Sequence, residues 1–539
     1  MSVFTEIDQV IQKNFAVFKK PNVLTVRPGY KIKDHWITNQ PAIVVTVAQK
    51  QADLSPGDAV PPMVGGYPTD VRPATGLQKM RSADPALQAT VAATARPEFA
   101  QPEFPLERDI RTGQLLEKVP PAAPVAEMAA KPRVPYTPAP GVTLDPVTDT
   151  MSITCHASPE AGWTVLKKFL QDIQGQLTVG LYDFTSKHVL DTVKGALSGQ
   201  QKLSLVLDHP QLNDTADQSD EETEAALDAV LGARQQFAWA AEARDPKVGQ
   251  AIFPNAYHIK VAVKDHQSMW LSSGNWNNSN QPDIDPFGGS GDPDEIAKVA
   301  AKSDRDWHVV VKHPGLAQTF EAYLAHDLEV AKSLQLGAAA APMAAMLPAA
   351  AAFSPEIPIP GDTPLGHYFP PFEIINEKVT VQPLLTPDSG AGNYAANILK
   401  LIQSAQSKLY IQTQYIHPPK AGTDNDFKAL IDAVQAKINQ GKEVCIILRD
   451  LPNTGGWLEK LQEAGLDMSR VKIQKGVHNK GFVVDAKIVA LGSQNWSGDG
   501  VLRNRDASLI IYHEKAAQYF EKIFTHDWTT LAKQQLSFD

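Results

Sequence analysis

Residues 256–279 read AYHIKVAVKDHQSMWLSSGNWNNS, and residues 476–499 read GVHNKGFVVDAKIVALGSQNWSGD. Both segments contain His-x-Lys, then an aspartate, then a Ser-x-Asn-Trp run, all at the same spacing. The shared residues are His258, Lys260, Asp265, Ser273, Asn275 and Trp276, and, 220 positions later, His478, Lys480, Asp485, Ser493, Asn495 and Trp496. A short motif recurs by chance in a long sequence, whereas a whole pattern repeated at one offset does not. The chain therefore contains an internal repeat.

The repeat continues upstream of both segments. Residues 163–184 and 394–416 each show a helical pattern of apolar residues followed by a short apolar run typical of a strand. KLSLVLDHP (residues 202–210) and EVCIILRDLP (residues 443–452) then provide a second strand in each copy. Alternating helices and strands predict a layered α/β unit, with a sheet covered by helices, in each copy.

Downstream, the two copies differ by an insertion. DRDWHVVV (residues 304–311) matches NRDASLII (residues 504–511) at an offset of 200, so residues 281–303 of the first copy replace a shorter connection. Insertions of this kind are tolerated in loops on a shared scaffold. The insertion is rich in Asp and Glu, which are potential calcium ligands, but it lacks the full twelve-residue calcium-loop pattern. A solvated acidic loop is predicted.

Composition divides the rest of the chain. Residues 1–80 begin with an amphipathic helical pattern and continue with two Val- and Thr-rich strands, which predicts a small N-terminal α/β module that packs the helix on its own sheet. Residues 81–150 are a Pro/Ala-rich connecting strap, and residues 336–371 are an Ala/Pro-rich linker. The two halves of the repeat then occupy residues 151–335 and 372–539.

The overall composition restricts the class of protein. The chain has 539 residues, with 50 basic and 60 acidic side chains and a net charge of −10, so it has no overall basic field for nucleic acid or anionic lipid. Its two cysteines, Cys155 and Cys445, exclude a disulfide framework. No secretory signal pattern and no membrane-spanning segment are seen, which predicts a cytoplasmic location.

The doubled His-x-Lys-x4-Asp pattern, with Ser-x-Asn after each copy, resembles the phospholipase D superfamily. The resemblance covers about residues 151–335 and 372–539 and implies two pseudo-symmetric α/β halves, each a mixed sheet flanked by helices, with one composite site at their junction. Both halves are in one chain, so a monomer is sufficient for that site. One departure is visible: the glycine that the family places before the serine is present as Gly492 but is Ser272 in the first half.

The repeated residue types suit phosphodiester chemistry. His and Lys two positions apart on a strand project from the same face and reach one phosphate. Lysine ammonium groups, with Ser and Asn hydrogen-bond donors, stabilise a phosphoryl transition state without a metal or cofactor. The predicted catalytic residues are His258, Lys260, Asn275, His478, Lys480 and Asn495, with Ser273 and Ser493 in support.

The resemblance also implies a mechanism. One histidine attacks phosphorus to form a phosphohistidine, and the other protonates the leaving alkoxide. Hydrolysis, or transfer to an alcohol, then releases the product. By analogy His258 is the nucleophile and His478 the acid, although the pseudo-symmetry makes this order reversible.

Four aspartates have predicted supporting roles. The family places an acidic residue that orients the histidine in the segments Asp304-Arg305-Asp306 and Asn504-Arg505-Asp506, so Asp306 and Asp506 are the candidates. Asp265 and Asp485 are expected on the opposite strand face from the histidines, in structural ion pairs.

Two further repeated features have alternative interpretations. Trp276 and Trp496 suit stacking on a base or lining an acyl groove, and they suit packing equally well. His326-Asp327 and His526-Asp527 suggest a metal phosphohydrolase, but the other ligands of such a site are missing from the sequence pattern. Helix capping or packing is predicted for the two His-Asp pairs.

The substrate has two leading candidates. The strand KLYIQTQYI (residues 408–416) resembles a segment of lipid-cleaving family members, and the negative net charge also favours phospholipid hydrolysis or head-group transfer. Peripheral membrane contact is compatible with that choice. A nuclease that cleaves DNA or RNA with the same paired histidines is the alternative, and a non-catalytic scaffold is disfavoured because both sets of motif residues are present. For residues 1–80 a docking, substrate-access or regulatory role is predicted.

Overall fold

The computed structural model describes residues 2–51, 54–85, 101–116, 136–209, 217–242, 250–289, 291–338, 367–451 and 453–536. They form two compact units. Unit 1 comprises Met1–Ala129, Asp450–Ser469 and Gln534–Asp539, and unit 2 comprises Ala130–Arg449 and Arg470–Lys533.

The secondary structure alternates helices and strands along most of the chain. The helices are α1 (Val3–Lys13), α2 (Gly76–Ala83), α3 (Gly162–Leu170), α4 (Lys187–Ala196), α5 (Asp220–Leu231), α6 (Pro293–Ala301), α7 (Pro314–Ala338), α8 (Tyr394–Ser404), α9 (Asn425–Asn439), α10 (Thr454–Glu463), α11 (Gly498–Leu502) and α12 (Glu514–His526). The strands are β1 (Val23–Lys33), β2 (Trp36–Val47), β3 (Met63–Val64), β4 (Tyr67–Pro73), β5 (Arg108–Asp109), β6 (Val147–Ser158), β7 (Gln176–Leu181), β8 (Lys202–Leu207), β9 (Gln235–Trp239), β10 (Lys260–Lys264), β11 (Ser268–Ser272), β12 (Asp306–Lys312), β13 (Phe372–Thr386), β14 (Lys408–Thr413), β15 (Glu443–Arg449), β16 (Val471–Gln474), β17 (Lys480–Val484), β18 (Ile488–Gly492) and β19 (Asp506–Tyr512).

Unit 1 is built on a five-stranded sheet in the order β3-β4-β2-β1-β5. Ser2 caps α1 by accepting a hydrogen bond from the Thr5 backbone N–H, and the apolar face of α1 buries Ile7 and Ile11 completely in the unit's core. The opening helix therefore packs on its own sheet, because removing this apolar face from water stabilises the contact.

Unit 1 also contains α10, which the sequence placed in the second half of the repeat. Glu459 on α10 is fully buried and accepts hydrogen bonds from Arg27 Nη2 (2.8 Å), Arg72 Nη1 (2.9 Å) and the Tyr30 backbone N–H (2.9 Å). Burial opposes ionisation of this carboxyl, but the two arginines outweigh it and lower the pKa of Glu459 to about 2. This buried ion network joins α10 to β1 and β4.

Unit 2 is organised around a continuous sheet of 14 strands. Its order is β16-β15-β14-β17-β18-β19-β13-β6-β12-β11-β10-β7-β8-β9, and numbering the strands of each half from one to seven gives the same spatial order, 4-3-2-5-6-7-1, in both. The first strands of the halves, β6 and β13, pair antiparallel at the centre, with Thr148 opposite Thr380. Helices flank the sheet, and the predicted fold class, two pseudo-symmetric mixed α/β halves, is confirmed by this strand order.

Mixed strand directions bring the repeated motifs to the same end of the strands in each half. The β7, β8 and β9 strands run parallel to one another, whereas β10, β11 and β12 are successively antiparallel. The start of β10, the end of β11 and the start of β12 therefore lie side by side, at the same end of these three strands. The same arrangement holds for β17, β18 and β19.

The segment boundaries differ from the predicted ones in three places. Asp450–Ser469 and Gln534–Asp539, predicted in the second half, belong to unit 1. Part of the predicted strap forms β5, which pairs with β1. The centre of the strap and most of the predicted linker, residues 117–135 and 339–366, lie outside the described residues. None of the helices in the described ranges has both the length and the apolar character needed to cross a bilayer.

Candidate active site

The two His-x-Lys motifs lie at the starts of equivalent strands in unit 2. His258 precedes β10 and His478 precedes β17, and the lysine of each motif is the first residue of its strand. Both histidines are 8% exposed, while Lys260 is fully buried and Lys480 is 2% exposed. Two buried ammonium groups thus lie beside two imidazoles that retain narrow access to solvent.

The Ser-x-Asn segments follow the neighbouring strands β11 and β18. Ser273 Oγ donates to Asp306 Oδ1 (2.6 Å) and accepts from the Trp307 backbone N–H (3.0 Å), while Ser493 Oγ accepts from the Ala507 backbone N–H (3.0 Å). The serines therefore fix each turn to the next strand.

The asparagines of these turns, Asn275 and Asn495, are each 5% exposed, and the Oδ1 atom of each is buried without a hydrogen-bond partner. Buried side-chain oxygens are normally hydrogen-bonded. The two unsatisfied oxygens occupy equivalent positions, one in each half.

The histidine–carboxylate pairs cross between the two halves. His258 Nδ1 is 2.8 Å from Asp506 Oδ1, and His478 Nδ1 is 3.0 Å from Asp306 Oδ1. The sequence placed Asp306 and Asp506 as orienters of the histidines without showing that each contacts the histidine of the opposite half. Because each carboxylate accepts the Nδ1 proton, the Nε2 atom of each ring is the one left for chemistry.

Short backbone bridges on both sides of the junction create this crossing. Arg305 pairs with Val477, next to His478, and Arg505 pairs with Tyr257, next to His258. The Arg305 carbonyl accepts a hydrogen bond from the His478 backbone N–H at 3.1 Å. Since each arginine immediately precedes an aspartate, the bridge brings that aspartate beside the histidine of the other half.

The lysines have different immediate contacts in the two halves. Lys480 Nζ is 3.1 Å from His478 Nε2. Lys260 Nζ instead lies 5.2 Å from the centre of the Tyr182 ring. Both lysines also donate to the backbone carbonyl of the histidine in their own motif. Tyr182 also packs edge-on against His258, with 5.0 Å between ring centres. The site is therefore pseudo-symmetric in its motif residues and asymmetric in what surrounds them.

Burial and like charges shift the ionisation of the central groups. Burial, and then the Lys260 charge, lower the pKa of His258, while Asp506 opposes the shift. Burial and Lys480 hold the pKa of His478 well below its ordinary value. Burial also holds the pKa of Lys260 well below its ordinary range and raises that of Asp306 to about 6. An anionic phosphodiester in this site would favour the charged forms of the histidines and lysines.

A second crossed pattern lies behind the histidines. Arg305 Nε donates to Asp527 Oδ2 at 2.9 Å, and Arg505 Nε donates to Asp327 Oδ2 at 2.7 Å. All four side chains are buried, and Glu160 also contacts Arg305 (2.5 Å). The aspartates of the two repeated His-Asp pairs, predicted to cap helices or pack, instead form buried ion pairs between the halves. No cluster of three or more metal-ligating side chains is present among the described residues.

Asp265 and Asp485 stabilise turns by hydrogen bonding rather than through the expected ion pairs. Asp265 accepts backbone N–H bonds from residues 174–176, and Asp485 accepts them from residues 406–408. Each aspartate begins a hairpin turn with positive φ, 53° in both cases. They thus fix the β10-β11 and β17-β18 hairpins that carry the motif residues.

The tryptophans after the asparagines are packing residues. Trp276 is fully buried with its ring 4.8 Å from that of Phe184, and Trp496 is 1% exposed with its ring 5.1 Å from that of Phe482. Buried rings in a packed core are not available to stack on a base or to line an acyl groove.

The replacement of glycine by Ser272 has a local explanation. A Cβ added at Gly492 would lie 1.8 Å from Ser508 Oγ, so that position has no room for a side chain. In the first half His308 occupies the place of Ser508, and Ser272 Oγ contacts its Nδ1 at 2.6 Å. Ser272 Oγ also accepts the Gly274 backbone N–H (2.7 Å), which rigidifies the turn before Asn275.

The insertion of the first half forms a loop and helix α6. Asp285 accepts the Gly288 backbone N–H at 2.8 Å, and Asp292 caps α6 by accepting the Asp294 backbone N–H at 2.9 Å. These two carboxylates therefore have local structural roles. Asn280, the residue just before the insertion, is fixed at the site. Its Oδ1 accepts the Asn275 backbone N–H at 2.9 Å.

Comparisons with known proteins agree with the motif. A family model described as the phospholipase D-like domain of cardiolipin synthase matches residues 398–528. Cardiolipin synthase 2 of Staphylococcus epidermidis is 26% identical over 144 residues, which are 26% of this chain and 28% of that protein. Cardiolipin synthase of Listeria innocua is 24% identical over 173 residues, 30% of this chain and 33% of that protein.

The matched segments thus span about a third or less of these relatives. Among solved structures, a phosphatidylserine synthase of Haemophilus influenzae aligns over 72% of this chain and 90% of its own, with a TM-score of 0.46 and 13% identity.

Proposed function

Since the chain belongs to the phospholipase D superfamily, we propose that it hydrolyses phospholipid head groups or transfers them to alcohols through a phosphohistidine. The observation that carries the proposal is the pair of crossed contacts, His258–Asp506 and His478–Asp306. Each contact holds an imidazole in one tautomer beside a buried lysine, as nucleophilic and acid catalysis at phosphorus both require.

The reaction divides into two displacements. In the first, Nε2 of one neutral histidine forms a bond to phosphorus, the bond from phosphorus to the leaving alkoxide breaks, and the second histidine, as an imidazolium, gives that alkoxide its proton. In the second, the now neutral second histidine takes a proton from water or an alcohol, whose oxygen attacks phosphorus and releases the first histidine. From the family resemblance, His258 remains the proposed nucleophile and His478 the proposed acid.

The remaining motif residues suit stabilisation of the transition state. Lys260 and Lys480 supply positive charge where negative charge develops on the non-bridging phosphate oxygens, and burial strengthens that interaction. The amide groups of Asn275 and Asn495 add neutral hydrogen-bond donors. These groups supply the electrostatics of phosphoryl transfer from protein side chains, so the proposal includes independence from metal ions and cofactors.

The setting of the reaction is also part of the proposal. A phospholipid substrate implies transient contact with a membrane surface, and we propose a monomer in the cytoplasm, with residues 1–80 in a docking or substrate-access role. Nucleic acid is the alternative substrate, because its phosphodiester fits the same paired histidines. The net charge of −10 favours the lipid.

The test is a turnover assay in EDTA that offers phosphatidylcholine vesicles, single-stranded DNA and duplex DNA in parallel. His258→Ala and His478→Ala should each abolish head-group release, whereas His266→Ala, at an exposed imidazole outside the site, should retain wild-type turnover. Thermal unfolding of every variant controls for folding. Cleavage of DNA with inert vesicles would assign the protein to the nuclease alternative, and full lipid turnover in either catalytic variant would overturn the mechanism.

A further inference from the structure

An aromatic ring distinguishes the surroundings of the two catalytic lysines. Lys260 pairs with the last residue of β7, and Lys480 pairs with the last residue of β14. The next residues along the chain, Tyr182 and Gln414, therefore hold equivalent positions, and both are buried. The first half thus has a ring beside its lysine, whereas the second half has a carboxamide side chain at the same position.

The contacts of the two lysines follow this difference. Lys260 Nζ lies 5.2 Å from the centre of the Tyr182 ring, within the range over which the face of a ring attracts an ammonium group. Among the described residues, its hydrogen bond goes to the His258 carbonyl and not to the imidazole. Lys480 Nζ, in contrast, lies 3.1 Å from His478 Nε2. Burial strengthens the attraction between ring and ammonium, so the ring competes with the imidazole for Lys260.

The same tyrosine also contacts the histidine of the first half. The rings of Tyr182 and His258 have their centres 5.0 Å apart and their planes at 63°, an edge-on contact. Asp506 Oδ1 is 2.8 Å from His258 Nδ1. The imidazole is thus held at Nδ1 by the carboxylate and against one side by the tyrosine ring. Close packing of this kind restricts the ring to one orientation.

The difference matters because a nucleophile needs a free lone pair. A lysine ammonium group has donors and no acceptor, so the contact of Lys480 with His478 Nε2 occupies the lone pair of that nitrogen. Nε2 of His258 has no lysine on it, since Lys260 lies over the tyrosine ring instead. The two imidazoles therefore differ before a substrate binds.

We propose that Tyr182 is a positioning residue for the first displacement: its ring holds Lys260 away from His258 Nε2, so that this nitrogen is free to attack phosphorus. The ammonium group remains available to the non-bridging oxygens of the phosphate. This inference rests on the proposed function and on His258 as its nucleophile. It adds the residue that makes the two pseudo-symmetric histidines chemically unequal.

The test is a single-turnover assay with enzyme in excess over a short-chain phosphatidylcholine below its micellar concentration. The rate of choline release then reports on the first displacement. Tyr182→Leu and Tyr182→Gln should slow this release about 10- to 30-fold, as expected for the loss of one desolvated contact between ring and cation. Tyr182→Phe keeps the ring and should stay within about threefold of the wild type.

A matched control removes a ring elsewhere in the same half. Phe237 packs edge-on against Trp239 on β9, the strand at the edge of the sheet, with 4.9 Å between ring centres. Phe237→Leu should release choline at the wild-type rate. Thermal unfolding of each variant controls for folding, and Tyr182→Gln introduces the residue that the second half already holds at this position.

NMR titration of the histidine ring nitrogens separates positioning from a merely structural role. In Tyr182→Gln the ammonium group of Lys260 is free to move toward the imidazole, which should lower the pKa of His258 and change that of His478 less. The substitution leaves in place the other charges that act on Lys260, which are those of Asp506, Lys480, Asp183 and Asp306.

The outcomes separate the role of Tyr182 from the proposed function. Wild-type choline release in Tyr182→Leu and Tyr182→Gln would overturn the positioning role. An equal loss in Tyr182→Phe, or slower release without a shifted titration of His258, would overturn it as well. Failure of the wild type itself to release choline would instead overturn the proposed function.

Discussion

Asp506→Asn removes the negative charge beside His258 while nearly preserving the shape of the side chain. Asp506 is fully buried, and its Oδ1 is 2.8 Å from His258 Nδ1. The amide that replaces the carboxylate leaves the positively charged, phosphorylated ring of His258 without its counter-charge. A carboxamide can also turn its NH2 group toward the ring, which favours the other tautomer.

The expected loss follows from this geometry. A hydrogen bond to a charged partner contributes about 1.5–3 kcal/mol, and about 1.4 kcal/mol corresponds to a factor of ten in rate. Turnover should therefore fall about 10- to 150-fold if the contact is made in full in the transition state. Because Asp506 raises the pKa of His258, the same substitution should lower it further.

The assay combines turnover with NMR titration of the histidine ring nitrogens, assigned with His258→Ala and His478→Ala. Asp506→Asn should change the pKa of His258 more than that of His478, and Asp306→Asn should do the reverse. This reciprocal pattern follows only if the carboxylates cross between the halves. A larger effect of Asp506→Asn on His478 than on His258 would refute the crossed arrangement.

Three further predictions concern pH and stability. Burial raises the pKa of Asp306 to about 6, so this group is a carboxylate above that pH and a neutral acid below it. Turnover should therefore fall as the pH drops through about 6. The pH–rate profile of Asp306→Asn should lack this decrease. Asp327→Asn leaves Arg505 buried without its counter-ion and should lower the free energy of unfolding in urea by about 3–5 kcal/mol; a change below about 1 kcal/mol would contradict the ion-pair role. The pKa of Glu459 is lowered to about 2. The contribution of this carboxylate to the stability of the folded protein is therefore complete above its ordinary pKa and is lost as the pH falls toward 2. Over that pH range, the unfolding midpoint of Glu459→Gln should depend less on pH than that of the wild type.

Much of the fold could be predicted from local patterns. The helical run that became α8 and the valine-rich strands β10 and β17 keep their predicted types, because periodicity and branched side chains report directly on burial. The repeat also identified both histidines and both lysines, which the structure places at the starts of equivalent strands. A two-residue spacing on a strand is sufficient to place His478 and Lys480 on the same face.

The contacts between the halves could not be predicted from the same patterns. Asp306 lies 172 positions from its partner His478 in the sequence, and the repeat fitted a pairing within each half as well as one across the halves. The matched Arg-Asp and His-Asp segments contained the residues of both buried ion pairs, but their spacing carried no information on which arginine meets which aspartate.

Helix α10 contacts residues that are far from it in the sequence. Glu459 satisfies Arg27 and Arg72, which are more than 380 positions away in the chain. The sequence placed the residues of α10 in the second half of the repeat, because no local pattern indicates a contact with the N-terminal unit.

The stereochemical course at phosphorus distinguishes a phosphohistidine mechanism from a direct displacement. A substrate with a chiral phosphorothioate diester is transferred to an alcohol, and the configuration of the product is determined. Two in-line displacements through a phosphohistidine give overall retention, which is the result expected here. Inversion would mean that the alcohol attacks the diester directly, and it would contradict the paired-histidine mechanism.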